Sequence, residues 1–479
     1  MSFEIPNVMP ALPEIFILSM TCIILVVDLF LSKTSRGATY MLSQATLVIA
    51  VLMTIATFVG SPILTFSDTF VRDGIGDVLK IAIYIATFVV FLYAKDYLKD
   101  RGLFKGEFYV LGLFAVLGMM ILISAHNLLT IYLGLELLSL SLYALVAMHR
   151  DSAQASEAAM KYFVLGAIAS GMLLYGMSMI YGITGSLDLA VISEQAPKVT
   201  DQIVLVFGIV FLLIGVAFKL GAVPFHMWVP DVYHGAPTAV TLFIGSAPKL
   251  AAFAMLMRLL IDGLGSVMAQ WQDILILLIL MSLAVGNIVA IAQVNIKRML
   301  AYSTISHIGF LMLGVMTGTQ AGISASMFYT ITYTLMSLGS FGMIILLSRK
   351  GFEAEKLEDF KGLNQRSPWY AFLMMILMFS MAGVPPFLGF WAKMSVLREV
   401  VAVDMIWLAA ASVVFSIIGA FYYLRVIKIM YFDKADTNEA ITCSTDMSVM
   451  ISLNAIFVLM IGLFPGSLLS LCLKVVNAS

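Results

Sequence analysis

Long apolar runs, interrupted by clusters of charge, Gly and Pro, recur along the whole chain. Their lengths match membrane-crossing helices, which need about 20 apolar residues each. The pattern predicts spans near 11–31, 38–59, 75–94, 106–124, 127–148, 158–181 and 203–225. Seven more are predicted near 237–257, 273–292, 299–316, 322–348, 368–397, 405–424 and 447–471. The first run carries Glu14 and lacks a basic front and a small-residue cleavage site, so it reads as a retained span and not a signal peptide. The connections are too short to fold separately. The expectation is an all-α polytopic membrane protein of about fourteen helices, one integral membrane domain over 1–479.

Composition agrees: 61% of the 479 residues are hydrophobic and 11% charged, against about 25% charged in soluble domains. A net charge of -1 offers no basic face for a nucleic acid. Cys22, Cys443 and Cys472 are too few and too scattered for a disulfide framework or a cysteine-held cluster.

The basic residues orient the spans. Lys and Arg favour cytoplasmic loops, and most of the 27 fall in loops after odd-numbered spans, from Lys33, Arg36, Lys95 and Arg101 to Arg425 and Lys434. Only Arg72, Lys198, Arg258, Arg398 and Lys474 occupy the other side. Both termini are therefore expected on the outer, periplasmic face. A weak internal repeat accompanies this layout. AMKYFVLGAIAS at 159–170 aligns with SMFYTITYTLMS at 326–337, matching Tyr162 with Tyr329, and Val223-Pro224 aligns with Val384-Pro385. Both matches carry a helix onto the one five spans later, in opposite orientation, which predicts two inverted five-helix repeats with broken helices 7 and 12. The expected subdivision is 1–105 (three N-terminal helices), 106–260 (helices 4–8), 261–430 (helices 9–13) and 431–479 (helix 14).

Charges inside spans cost about 2.5–3.5 kcal/mol each on insertion scales, so each needs a partner, water or a function. Glu136, in IYLGLELLSL, is central in span five. Its alternatives are a proton-relay carboxylate and a structural ion pair. Lys219 precedes Pro224 in AFKLGAVPFHMW, where Pro and Gly221 break the helix and leave carbonyls beside the ammonium. Lys249 follows Pro248 in SAPKLAAF, remote from either interface, and Lys393 follows Pro385-Pro386 in MAGVPPFLGFWAK. His307, in AYSTISHIGF, has Ser303, Thr304 and Ser306 beside it and titrates near neutrality. A bridging relay and a lone hydrogen-bonded histidine are both open to it. Lys161 is a weaker candidate, with Glu157 one turn earlier feeding an inlet or capping the interface. Lys80 is expected to snorkel to the outer interface as a structural residue, and Asp28 to meet Lys33 or water. HMWVPDVYHGAPT brings together His226, Asp231 and His234 in no familiar zinc spacing, so a loop or a proton-collecting role is expected and no metal. No nucleotide-binding or nucleophile-elbow motif occurs.

These segments resemble the antiporter-like membrane subunits of respiratory complex I, the proton-translocating NADH:quinone oxidoreductase. FKLGAVPFHMWVPDVYHGAPT, the glutamate in IYLGLELLSL and NIKRMLAYSTISHIGF carry the resemblance over spans five to ten, and MAGVPPFLGFWAK extends it to span twelve. WVPDVYHGAP, fourteen spans and no long extension after the last look most like the smallest of the three large bacterial members. One sister subunit has a glutamate at the position of Lys393; another carries a long lateral helix.

The resemblance implies that Glu136 and Lys219 form the charge pair of a first half-channel, Lys249 the central relay and Lys393 the terminal group of a second, with His307 bridging the halves. Quinone reduction elsewhere would open the Glu136–Lys219 pair and push a proton toward Lys249 and then Lys393. The chain would thus belong to a translocase without doing redox chemistry itself. NADH, FMN, iron–sulfur clusters and quinone would sit in partner subunits, and no cofactor in this chain. Its partners would be other complex I membrane subunits, including a neighbouring antiporter-like one, and its place the lipid bilayer of the bacterial cell inner membrane. Similar folds occur in multisubunit sodium/proton antiporters and membrane-bound hydrogenases, which remain alternatives, as does a structural spacer.

Overall fold

A computed structural model describes residues 6–32, 35–435, 441 and 443–478. Helices dominate it. The first, α1 (Leu12–Phe30) and α2 (Gly37–Ala56), lead through a short antiparallel hairpin of β1 (Ile63–Thr65) and β2 (Phe70–Arg72) into α3 (Gly74–Asp100). Next come α4 (Gly106–Ile123), α5 (Leu128–Val146), α6 (Ala153–Thr184) and the short α7 (Leu189–Gln195). α8 (Gln202–Leu220) breaks off before α9 (Trp228–Gly235), and α10 (Thr238–Ile244) before α11 (Ala247–Met257). The second half runs through α12 (Gln272–Ile291), α13 (Ile296–Met316), α14 (Gln320–Leu347), α15 (Leu363–Arg366), α16 (Pro368–Ala382) and α17 (Leu388–Ala402). It closes with α18 (Ile406–Phe432), α19 (Thr445–Leu463) and α20 (Gly466–Ala478).

Among the described residues, 13 stretches are long and apolar enough to cross a membrane. α16 and α17, each too short alone, make up the broken twelfth span of the predicted fourteen. The helices containing Lys249 and His307 are the most enclosed, with 100% of the α10–α11 crossing window and 94% of the α13 window buried by the rest of the chain. Lipid therefore does not reach them. By contrast α18 and α6 turn rows of Ile, Val, Phe and Met outward, as helices on the rim of a membrane bundle do.

Several expectations need correction. Span eight is interrupted between α10 and α11 at Gly245-Ser246, where Ser246 leaves helical geometry and Pro248 starts the next helix in the first-turn position that tolerates it. Span fourteen ends at Leu463, and α20 is a separate helix docked through Cys472, Val475 and Val476. The segment read as a loop, HMWVPDVYHGAPT, is mostly helical. Pro230 falls in the first turn of α9, where its missing N–H leaves no bond unmade. Lys80 does not snorkel: it is fully buried and paired with Glu14 at 2.6 Å. Asp28 accepts a hydrogen bond from Thr39, while Lys33 lies outside the described residues.

Candidate functional site

The break after α8 sets the first cluster. Gly221 closes the helix in the left-handed region (φ 84°), its N–H bonded to the carbonyl of Ala217. A side chain there would be strained and would bring a Cβ to 2.7 Å from Val229 Cγ2, so only glycine fits. The turn frees the last carbonyls of α8, and two buried groups take them. Trp228 Nε1 donates to Phe218 O at 2.9 Å, and Lys249 Nζ donates to Leu220 O at 2.9 Å. The Lys249 ammonium lies 5.5 Å from the Trp228 ring centre, and that indole stacks on Tyr162.

Lys219, next to Leu220, turns the other way. Its ammonium donates to Ser139 Oγ at 3.0 Å, and Ser139 sits one turn after Glu136 on α5. Glu136 accepts a hydrogen bond from Ser170 on α6. Its charge reaches Lys219 electrostatically, but the two make no direct ion pair; a serine stands between them. Glu136 is half-buried, on the outward stripe of α5 that also carries Leu129, Leu133 and Leu140.

The twelfth span repeats the arrangement. Gly383 ends α16 in the left-handed region (φ 85°), and Lys393 Nζ on α17 donates to Ala382 O at 2.8 Å and to Ser416 Oγ at 2.8 Å. Here the ammonium lies 5.2 Å from the Phe310 ring centre, and Phe310 stacks on Tyr329. The cis bonds Val223-Pro224 and Pro385-Pro386 and the two glycines put these breaks in register one residue beyond the match of Val223-Pro224 with Val384-Pro385.

His307 occupies the space between. The sequence pointed to hydroxyls on its own helix, but the ring's partners come from two others. Nδ1 is 2.7 Å from the Tyr329 hydroxyl on α14, and Nε2 is 3.1 Å from the Tyr423 hydroxyl on α18. Ser303 bonds Tyr423, Thr304 bonds Tyr333 at 2.8 Å, and Ser306 bonds Asn287 at 2.8 Å. A neutral imidazole donates from one nitrogen and accepts at the other, so a hydroxyl on each side lets the ring pass a proton by exchanging roles.

The Lys/Arg-rich face holds a further cluster. Lys161 bridges Glu157 and Asp231 at 2.8 Å each, and Arg298 Nη1 meets Asp231 Oδ1 at 2.9 Å. Glu157, Lys161 and Asp231, with Gln154 and His234, line a cavity of about 140 Å³. Burial pushes the Asp231 carboxyl up, but its hydrogen bonds from Lys161 and Arg298 outweigh that and hold it below the ordinary range. Burial, then the charge of Lys297, holds His234 below its ordinary value. His226 stands apart in the turn between α8 and α9, its ring 6.5 Å from that of Tyr302.

Sequence reasoning missed Ser139, Ser170, Trp228, Tyr329, Tyr423 and Ser416. Tyr329 left a signal as the repeat partner of Tyr162, Ser170 as the last position of the same repeat match, and Trp228 lies inside the motif HMWVPDVYHGAPT; Ser139, Tyr423 and Ser416 meet the charges only through packing between helices.

Residues 125–419 match the model of the NADH:quinone oxidoreductase/Mrp antiporter transmembrane family. The chain belongs to this family. It is similar to NADH-quinone oxidoreductase subunit N of Thioalkalivibrio sulfidiphilus, 62% identical with 98% of each chain covered, and to that of Thiobacillus denitrificans, 57% identical with 98% of each covered. Among solved structures it resembles a chain of respiratory complex I from Thermus thermophilus with bound aureothin, with a TM-score of 0.83 at 30% identity over 96% of this chain and 99% of that one. A chain of the membrane-bound sulfane sulfur reductase, an archaeal respiratory complex, shares the fold at a TM-score of 0.88 and 24% identity, covering 98% of both. Within the family's matched region lie all five strong candidates, Glu136 to Lys393.

Proposed function

We propose that the chain is the antiporter-like, proton-translocating membrane subunit of an NADH:quinone oxidoreductase, moving protons along Glu136, Lys219, Lys249, His307 and Lys393. The observation that carries this reading is the setting of Lys249 and Lys393. Both are buried, and among the described residues neither has a carboxylate partner. A permanent charge there would need an anion. A carbonyl at a helix break serves the ammonium, while loss of the proton leaves an amine that fits the same apolar surroundings. Each lysine is thus suited to being loaded and emptied.

Protons enter from the face that holds Lys161, Asp231 and His234, where fixed charge of both signs surrounds a polar cavity. Ser139 links Lys219 to the helix of Glu136, so movement of α5 against α8 changes the field on that ammonium without stranding a buried anion. A proton displaced from Lys219 passes to Lys249 at the same break, crosses the His307 cluster, and reaches Lys393. Redox chemistry, with NADH, FMN, iron–sulfur clusters and quinone, belongs to partner subunits. Glu136 also argues for a partner: a half-exposed carboxylate amid leucines is costly against lipid, so a neighbouring membrane subunit covers this stripe of α5. The location is the bacterial inner membrane with the Lys/Arg-rich face cytoplasmic.

The test is proton pumping by vesicles holding the assembled complex with Lys249→Met or Lys393→Met. The expected result is full assembly with a reduced number of protons moved per NADH oxidised. Assembly with unchanged pumping would overturn the relay, and copurification with a sodium/proton exchanger lacking NADH oxidation would move the chain to that class.

A further inference from the structure

The three helices before the repeats hold a second set of buried ionisable groups, sharing no residue with the chain from Glu136 to Lys393. Glu14 on α1 and Lys80 on α3 form an ion pair at 2.6 Å, with side chains only 7% and 1% exposed. The Lys80 ammonium also lies 5.3 Å from the Phe70 ring centre. Apart from Lys80, the Glu14 carboxylate has no donor from the protein. Asp77 and Arg72, paired at 3.1 Å, and the Tyr84 hydroxyl are the other ionisable groups close to it.

From this pair a line of polar groups follows the seam between α2 and α3. The hydroxyls of Tyr84 and Thr54 face one another without closing a hydrogen bond, and those of Thr87 and Ser43 and the Gln44 carbonyl have no protein partner. Gln44 Nε2 bonds the Phe88 carbonyl at 3.2 Å and the Tyr40 hydroxyl at 3.3 Å. Lys95 lies 5.4 Å from the Tyr40 ring centre and closes the line, 27% exposed and bound to Asp446. Positions 77, 80, 84, 87 and 95 share one face of α3. At about 1.5 Å per residue they cover about 27 Å, close to the ~30 Å of a hydrocarbon core.

Physical cost decides what such a seam is for. A buried polar atom left unpaired costs about 1–3 kcal/mol, and ordered water is the usual remedy where several lie together. A buried ion pair is also a poor stabiliser beside apolar side chains of the same volume. A merely structural seam would be better built of Leu and Met. A carboxylate on a hydrated seam can instead exchange protons, and the fixed ammonium of Lys80 repels a free hydronium, which keeps the line from leaking.

We propose that Glu14 is a second proton-binding site, reached by water along the α2–α3 seam and controlled by Lys80. On loading, the Glu14 carboxylate takes a proton from hydronium, releasing water, and Lys80 stays an ammonium; on unloading, the proton returns to water and the ion pair re-forms. The inference rests on the chain working inside an NADH:quinone oxidoreductase but not on the relay from Glu136 to Lys393.

Infrared difference spectra of the complex, taken on adding NADH, test it with Glu14→Gln and with the double variant Glu14→Leu/Lys80→Met, which strands no buried charge. The expected result is loss of one deuterium-sensitive carboxyl band in both variants. A spectrum identical to the unaltered complex overturns the proposal. Hydroxyl-radical labelling of the unaltered complex needs no variant: Tyr84 is expected to be labelled through adjacent water, and an unlabelled Tyr84 overturns the hydrated seam. A Lys219→Ala complex that keeps this band but stops pumping separates the site from the central relay.

Discussion

Lys249 donates to the carbonyl of Leu220 at 2.9 Å, so the ammonium of one helix holds the broken end of another. Lys393 does the same for Ala382 within its own span, and both rest beside an aromatic ring stacked on a tyrosine, Tyr162 for one and Tyr329 for the other. The second break lies five spans after the first, and because five is odd the two run in opposite directions through the bundle. The proposed proton carriers are thereby tied to the places where backbone carbonyls come free.

That tie predicts different costs for charge and for structure. Lys249→Met forfeits one hydrogen bond to Leu220, worth about 1.5–3 kcal/mol for a charged donor, but it also relieves the burial of the ammonium. Assembly and thermal stability should change little while proton pumping falls. Thermal unfolding of the purified complex beside a pH-dye assay in vesicles separates the two effects.

The glycines at the breaks should tolerate no side chain. Gly383→Ala places a Cβ at 2.9 Å from Lys393 Cδ in a backbone region that costs an L-residue about 1–2 kcal/mol. Because the clash falls on Lys393 itself, pumping should drop with the stability. Gly221→Ala meets Val229 instead, so its loss of stability should be similar and its effect on pumping smaller. Paired measurement of unfolding temperature and protons per NADH checks the ordering.

The crossings and the breaks of spans seven and twelve were legible because apolar length and Pro/Gly punctuation are local properties of the chain. Lys219, Lys249 and Lys393 stood out for the same reason: a charge in an apolar run needs no neighbour to be noticed. Their partners were not legible. Ser139 meets Lys219 across 80 positions and Tyr423 meets His307 across 116, contacts set by helix packing and not by any periodicity. Lys80 was misread because its nearness to a span end suggested water, whereas Glu14, on another helix, supplied the charge. The interruption of α10–α11 was also missed, since Gly245-Ser246 has no residue that forbids a helix outright.

Acidification should act on the cavity at the Lys/Arg-rich face. His234 binds a proton less readily in the folded protein than at its ordinary pKa of about 6.5. The unfolded chain therefore binds more protons, and stability declines as the pH falls from about 6.5 through the folded value. Asp231 is displaced in the same direction but acts in a lower range: its contribution is present above the ordinary carboxylate pKa of about 3.9 and disappears only as the pH falls further, through its lowered folded value. His234→Gln should flatten the decline below neutrality, and Asp231→Asn should weaken the fold at pH 7 itself. Unfolding temperature against pH for the three proteins shows whether the two residues act in separate ranges.

A buried charge cluster on the other face should govern assembly and not transport. Arg258 sits between Asp73 at 2.6 Å and Asp262 at 3.0 Å, and its Nε holds the Ile123 carbonyl at 3.1 Å. Asp73 at the same time caps α3 through the Gly76 N–H. Arg258→Met strands a buried carboxylate, and breaking such a pair costs about 3–5 kcal/mol, enough to lower the amount of assembled complex. Arg258→Met with Asp73→Asn removes the stranded charge, and the asparagine oxygen keeps the helix cap. The double variant should therefore regain much of the assembly lost by the single one. Blue-native gels of membranes from both strains, normalised to a subunit outside the membrane, give the comparison; equal yields from the two would show that Arg258 acts through packing alone.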